Sequence, residues 1–589
     1  MGVRFPTWLQ RVLVFLLVVG IVFRFVNLNH KVYWHDEAYT SLRAAGYTRW
    51  EIDQELFQNR VVVIGELQKF QQIKPGSTIA DTIHSLAQED PQHPPLYFLM
   101  ARVWMQWFGG SLTASRLLPV FLSLFTLPFM YALAWELFAS HEIALLATTF
   151  LALSPFDVLF AQTARQYGLL TVFVIASQWL LLRALRVDTK GRNNQFKITQ
   201  SWDAWQSWGL YALSVALGLY THPFFGLTVV GQAVYLGLEA LLKPPQVSWQ
   251  RAWARAVGIL RNFCLAIAVA LILYAPWLFV LVTNYERAMA TTDWARFSPG
   301  IGTLLNQWML SFTALFIDLY THSRLLELCL RLPIVLLIGV SIYTICRRCD
   351  RSTWLLIVTS ILVPFLLLVL SDLIAGGKRS TVSRYLISCY PGIQLAVAYF
   401  LGAQLSLRTR YKSRIHRNQT LRQPVQTFWQ QLKTFFQNPS PLSLTPYATA
   451  YPRSIWYGVL ILVVTASLIS LSTSASADAW WNKDLSYNNP QVARDIKASP
   501  SPIVISDIGD DFTNTGDMIS LSYLLNKDIP FIMMSDDLSW IKTERFRSQL
   551  RGRTAFTYRP TQKLHQALEQ SYGPMQLLPP ERFWRLRQN

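Results

Sequence analysis

Apolar runs of close to twenty residues recur along most of this chain, separated by short polar segments. A helix needs about 20 such residues to cross the hydrocarbon core of a bilayer. The pattern therefore predicts a mainly α, polytopic helical membrane protein with about 11 spans. They are expected at 12–28, 117–138, 143–156, 167–185, 208–220, 225–242, 263–282, 333–346, 355–370, 386–405 and 455–471. One further apolar stretch, 96–108, is too short to span and holds Arg102. It reads as an interfacial or re-entrant helix. From Ser472 the pattern changes. Residues 501–506 and 529–534 read as short buried strands, and 521–525 and 564–572 as helices, which predicts a small α/β domain over 472–589.

Charge orients these spans. Residues 1–11 hold two Arg and no acid, which places the amino terminus in the cytoplasm and the loop 29–115 outside. With eleven spans the basic segments then fall on the cytoplasmic side: Arg183 to Lys197, Lys243 to Arg261, Arg347 to Arg351, and the loop 406–454, whose 407–453 stretch carries eight Lys or Arg and no acid. Counting 96–108 as a span would move them all outside. The core 1–405, the last span and an extracytoplasmic tail domain complete the expected organisation in the plasma (inner) membrane. The first apolar segment lacks a small-residue cleavage site and reads as a retained helix.

Composition agrees. The chain has 589 residues, 52% hydrophobic and 15% charged, too apolar for an ordinary soluble protein. Its net charge of +19 resides in the loops, and no basic-aromatic nucleic-acid module stands out, so nucleic acid is not an expected partner. Cys264, Cys329, Cys346, Cys349 and Cys389 lie in or beside apolar segments, which argues against a disulfide framework. Cys346-Arg-Arg-Cys349 is half a zinc site without a second pair. Asp507, Asp510 and Asp511 follow the first tail strand and read as a solvated acidic turn ahead of a metal site.

The candidate chemistry gathers on the outer face. Asp36-Glu37 follows the first span, and carboxylates at a membrane boundary are costly to place. The same topology puts Gln92-His93-Pro94-Pro95, Ala164-Arg165-Gln166-Tyr167, Thr221-His222-Pro223-Phe224, Lys378-Arg379 and Ser383-Arg384-Tyr385 on that face. Each has a bland reading alone. Arg165 and Arg384 could anchor helix ends, His222 could cap a turn, His93-Pro-Pro could be a stiff helix entry, and Asp36-Glu37 a solvated collar. Together they suit a reaction on an anionic lipid headgroup. The Arg fork matches phosphate, a carboxylate can serve as general base, and cations neutralise a phosphate leaving group.

Trp34-His-Asp-Glu-Ala-Tyr39, His93-Pro-Pro-Leu-Tyr97, Ser115-Arg116-Leu117, Ser154-Pro155 leading to Ala164-Arg-Gln-Tyr167, and Arg384-Tyr385-Leu386 resemble the protein O-mannosyltransferase-like family. These are integral-membrane glycosyltransferases of the C-type fold, to which the aminoarabinose transferases are related. The resemblance runs from about residue 10 to about 405. It implies a polyprenyl-phosphate-linked sugar donor among the membrane lipids and inverting transfer on the extracytoplasmic face. It also implies that Asp36 is the base, and that Glu37 positions the acceptor or shares that role. His93 and Arg165 would line the site, Arg384 would bind the donor phosphate, and Lys378 or Arg379 would assist. Tyr167, His222 and Tyr385 are expected to bind donor or acceptor. Related oligosaccharyltransferases carry an acidic metal-binding motif where Ala164-Arg-Gln-Tyr167 has no acid, so neither metal nor cofactor is expected. The acceptor (protein, lipid or polysaccharide) stays open.

Two other readings remain. A transporter or flippase for a lipid or small anion would place ionisable groups near the bilayer midplane and show internal repeats; here the polar groups sit at helix ends and no repeated half is found. A receptor sensing through the tail gives no reason for the cluster in the outer loops.

Overall fold

The computed structural model describes residues 3–191, 198–242, 249–321, 323–406, 452–510 and 513–586. The basic loop expected at 406–454 lies outside them but for its ends, as do Asp511 and much of the basic segments near 190–197 and 243–248. Among the described residues, Leu112–Phe138, Tyr167–Val187, Phe225–Leu242, Ala256–Thr283, Arg324–Arg348, Arg351–Ala375, Ser383–Leu405 and Arg453–Ser486 are each long and apolar enough to cross a membrane. His141–Leu153 and Pro155–Ala161 form a further, broken span bent by 58°. Thr7–Phe23 is shorter, at 17 residues, and Ile198–Thr221 begins with polar residues.

Contacts show that the last three also traverse the bundle. Arg165 follows the broken span and reaches Asp36. His222 follows Ile198–Thr221 and lies 6.0 Å, ring to ring, from Tyr167. Both residues therefore return to the end of the bundle from which Leu112–Phe138 and Tyr167–Val187 depart. Thr7–Phe23 packs along His141–Leu153 so closely that a Cβ on Gly20 would lie 2.5 Å from the Ala152 carbonyl oxygen, the close backbone approach that small residues allow between membrane helices. The protein is a multi-pass integral membrane protein. All eleven expected spans correspond to helices.

Local chemistry explains two departures from the expected bounds. The first helix ends at Phe23, ahead of Leu28, because the buried Arg24 turns its guanidinium back onto carbonyls. It donates to Gly20 O (2.8 Å), Ala152 O (2.7 Å) and Leu151 O (3.2 Å). The broken span turns at Ser154-Pro155. Ser154 is held extended ahead of the proline, and its Oγ accepts from the Asp157 backbone N at 3.3 Å, capping a new helix with Pro at its first position. The expected short helix Leu96–Phe108 has those bounds and 13 residues. Its Arg102 is buried, donating to Ser77 O (2.8 Å) and Ala44 O (3.3 Å), which ties the helix to the earlier part of the 29–115 loop.

The tail contains the expected strands and more. A six-stranded sheet runs in the order β1-β3-β2-β4-β6-β5, with β1 Arg60–Val62, β2 Pro502–Ser506, β3 Phe531–Met533, β4 Thr554–Tyr558, β5 Gln576–Leu578 and β6 Phe583–Arg585. The central β3-β2-β4 strands are parallel. β1 belongs to the 29–115 loop and pairs antiparallel with β3, Val61 opposite Ile532. One apolar core joins the two parts: Tyr33, Leu42, Ile52, Leu56 and Leu67 pack with Ile496, Met518, Ile519, Phe531 and Phe583. Sequence position separates the loop from the tail, whereas the fold makes them one layered α/β cap over the helix bundle.

Candidate active site

The helix His35–Ala45 lies in this cap and begins with the two acids. Glu37 is fully buried, and its carboxylate accepts from Arg116 Nε (2.9 Å) and Ala164 N (2.8 Å) through Oε1. Through Oε2 it accepts from Arg116 Nη2 (2.8 Å), Lys483 Nζ (2.8 Å) and Trp34 N (3.0 Å). Burial pushes its pKa up, but Arg116 and Lys483 outweigh this and hold it far below the ordinary carboxylate range. With its lone pairs taken, Glu37 has none left for an acceptor. The expectation that it shares the base role is replaced by a structural one, joining the loop, the bundle and the tail.

Asp36 is the opposite case. Its side chain keeps 26% of its surface exposed. Among the described residues its carboxylate accepts no hydrogen bond, and its one ion pair is with Arg165 Nη2 at 3.7 Å. Burial raises its pKa; Arg165 and Arg384, with His35, overcome that and leave it below the usual value. Asp36 is thus ionised at neutral pH with its oxygens free to accept a proton.

Arg165 is fixed from several sides. Nη1 donates to Thr40 Oγ1 at 3.0 Å, and Nη2 lies 3.3 Å from His93 Nε2. The Gln166 amide lies 3.2 Å from His93 Nδ1, while Gln166 Oε1 is otherwise buried without a partner. Turning that amide so that its oxygen faces Nδ1–H satisfies both groups, leaving Nε2 to accept from Arg165. Burial, then Arg165 and Arg43, push His93 well below the ordinary histidine pKa. His93 is therefore a neutral acceptor that orients Arg165. His222 accepts from Phe224 N through Nδ1 at 3.1 Å, so its hydrogen is on Nε2. It is held neutral by burial and by the cations Arg165 and Arg384.

Arg384 stands across the site. Its guanidinium carbon lies 5.2 Å from the Trp34 ring centre, 5.6 Å from Tyr385, 5.8 Å from Trp294 and 6.0 Å from Tyr167. Among the described residues it makes no hydrogen bond and no ion pair, and its buried Nε has no partner. A guanidinium held by rings alone is oriented by cation–π attraction and keeps its fork of donors unspent. Lys378 Nζ lies 5.3 Å from the other cation's ring partner, Trp294, so the two positive groups share one indole. Arg379 does not join them. It pairs with Asp372 at 3.5 Å and donates to Gly376 O at 3.2 Å, closing its own turn, which corrects its expected role.

The structure thus gathers Asp36, His93, Arg165, Tyr167, His222, Arg384, Tyr385 and Lys378, and diverts Glu37 and Arg379. Sequence reasoning passed over Thr40 and Trp294, whose contribution is orientation, and Lys483, which carries no local signal. Trp34, Arg116 and Gln166 stood in the motifs without their roles being visible.

No family model matches the sequence, and no curated protein does. Solved structures do match. ArnT from Cupriavidus metallidurans bound to undecaprenyl phosphate covers 97% of this chain and 97% of its own, at 14% identity and a TM-score of 0.50. The Archaeoglobus fulgidus oligosaccharyltransferase tethered with an acceptor peptide covers 87% of this chain and 64% of its own, at 11% identity and a TM-score of 0.45. The S. cerevisiae Pmt1-Pmt2 complex bound to the sugar donor covers 51% of this chain and 36% of its own, at 14% identity and a TM-score of 0.30. At such identities the likeness to ArnT is one of fold.

Proposed function

From the premise that this chain has the C-type glycosyltransferase fold, we propose that it transfers a sugar from a polyprenyl-phosphate-linked donor to an acceptor hydroxyl on the extracytoplasmic face of the membrane. The observation that carries the reading is the contrast, among the described residues, between a carboxylate without hydrogen bonds, Asp36, and a guanidinium without an ion pair, Arg384, within electrostatic reach of each other. A partly buried cation whose Nε is shut away from water without a partner is costly, and a phosphodiester headgroup supplies the missing charge in the geometry an Arg fork fits.

In the proposed step the acceptor oxygen attacks the anomeric carbon from the side opposite the phosphate. Its proton passes to an Asp36 oxygen. The bond between the anomeric carbon and the phosphate oxygen breaks, and the polyprenyl phosphate leaves with the electron pair, so the configuration inverts. Arg384, with Lys378 beside it, stabilises the charge that grows on the leaving phosphate. Arg165 holds the Asp36 carboxylate ionised without occupying its oxygens. Tyr167, Tyr385 and His222 wall the space between them, and the Nε2–H of His222 offers a neutral donor to a sugar hydroxyl.

The test uses the full chain in lipid nanodiscs, a panel of undecaprenyl-phosphate-linked neutral and amino sugars, and a cell-envelope extract as acceptor source, with release of undecaprenyl phosphate as readout. Asp36→Asn is expected to lower turnover by about 10²–10⁴-fold while the protein still inserts and purifies normally. Near-normal turnover in that variant removes Asp36 as the base. Net movement of intact donor across the bilayer, without release of undecaprenyl phosphate, would favour a flippase instead.

A further inference from the structure

The residues on either side of Asp36 are both held by the tail, and by opposite charges. His35 Nδ1 lies 3.3 Å from Asp517 Oδ1, with side chains 8% and 0% exposed. Glu37 Oε2 lies 2.8 Å from Lys483 Nζ. The backbone N of His35 donates to Ser486 Oγ at 2.9 Å, which in turn faces Asp517 Oδ1 at 3.4 Å. The helix Asn514–Ser522 comes so near that a Cβ on Gly516 would lie 2.5 Å from Tyr39 Cε2 and 3.0 Å from His35 Nδ1. Arg559 of the tail pairs with the other Asp517 oxygen, so that carboxylate is itself fixed.

We infer that the tail is a working part of the catalytic centre: Asp517 acting on His35, and Lys483 acting on Glu37, grip the start of the helix and aim Asp36 at the acceptor. This inference rests on the reading of Asp36 as the base. Asp517 and Lys483 are positioning residues, since neither touches the reacting atoms. The arrangement leaves Asp36 as the single one of three consecutive side chains not clamped between the cap's two halves.

The His35 end of the clamp titrates. The charged groups facing His35 are Asp517 and Arg559 from the tail and Asp36 on its own helix, and its ring lies 4.8 Å from that of Tyr39. Burial pushes the imidazole down, while Asp517 and Asp36 overcome both burial and Arg559, leaving it above the ordinary histidine pKa. The protonated ring in turn helps to keep Asp36 ionised. Removing the Asp517 charge lowers the His35 pKa and, through the lost cation, raises that of Asp36.

Asp517→Asn in the full-length protein in nanodiscs is therefore expected to narrow the pH profile of turnover from both sides. The alkaline limb moves to lower pH as His35 loses its proton earlier, and the acid limb moves to higher pH. Turnover at the optimum falls about tenfold, in the range that a small misplacement of a reacting group produces, while the donor KM changes less than twofold. Asp517→Glu restores part of the width. A profile for Asp517→Asn that overlies the wild type in height and width overturns the inference. Should Asp517→Asn not fold, His35→Gln replaces it: its profile should lose the alkaline limb, and a retained limb overturns the inference equally. Asp36→Asn keeps the two ideas apart, because its near-normal turnover refutes the base, whereas an inactive Asp36→Asn beside a wild-type Asp517→Asn profile refutes only the clamp.

Discussion

Asp36 and Glu37 are neighbours in the chain with opposite surroundings: five donors converge on the Glu37 carboxylate, while among the described residues the Asp36 carboxylate pairs with Arg165 alone, at 3.7 Å. Consecutive positions on a helix point about 100° apart. That rotation sends one carboxylate into the joint between loop, bundle and tail and the other toward the open side. One acid holds the structure, and the other is the proposed base.

Glu37→Gln is accordingly expected to fail through stability. Leaving Arg116 and Lys483 buried without their anion should cost about 3–5 kcal/mol, read as a lowered thermal midpoint in detergent. The sign with pH follows from the depressed pKa. The stabilisation by Glu37 is full above its unfolded pKa near 4.5 and is lost as pH falls below that value toward the folded one. The gap between wild type and variant should therefore shrink below about pH 4.5. A variant as stable as the wild type at pH 7 contradicts the role.

Arg384→Lys keeps the charge and loses the planar fork and the ring stacking. If charge alone mattered, donor binding would survive. The expected outcome is a rise in donor KM of about ten- to a hundredfold, the equivalent of losing one charge-assisted hydrogen bond, with direct binding of undecaprenyl phosphate weakened in parallel. An unchanged affinity would separate Arg384 from the phosphate.

Lys31 is 5% exposed and makes no ion pair among the described residues. Burial and the neighbouring Lys483 and Arg116 push its pKa down to about 7. Between pH 7 and about 10.5 the unfolded chain holds a proton there that the folded protein lacks, so this group's destabilisation is greatest at and below pH 7 and fades as pH rises. Lys31→Met should raise the thermal midpoint at pH 7, and the gain should shrink by pH 9.5. A gain that does not vary with pH would point to packing instead of charge.

The helices were legible because apolar runs of membrane length depend on local composition alone. The cluster of Asp36, His93, Arg165, His222 and Arg384 was legible because charge bias oriented the spans and placed those residues at one end. What a neighbour does in space was not. Arg379 differs from Lys378 by one position and by whether Asp372 lies beside it. β1 has three residues, and its partner β3 begins at Phe531; nothing near Arg60 announces that pairing. The boundary drawn at Ser472 followed composition, whereas the apolar core crosses it.

The pairing of β1 with β3 also has a consequence in time. A ribosome adding about 5–20 residues per second releases Phe531 roughly half a minute to a minute and a half after Val62. Through that interval β1 is an unpaired edge, and His35 and Glu37 await Asp517 and Lys483. The site is completed from the last fifth of the chain, so a nascent or prematurely ended protein already lodged in the bilayer carries Asp36 without the grip that aims it. On the proposed reading, synthesis past Lys483 and Asp517 becomes the step that completes the site.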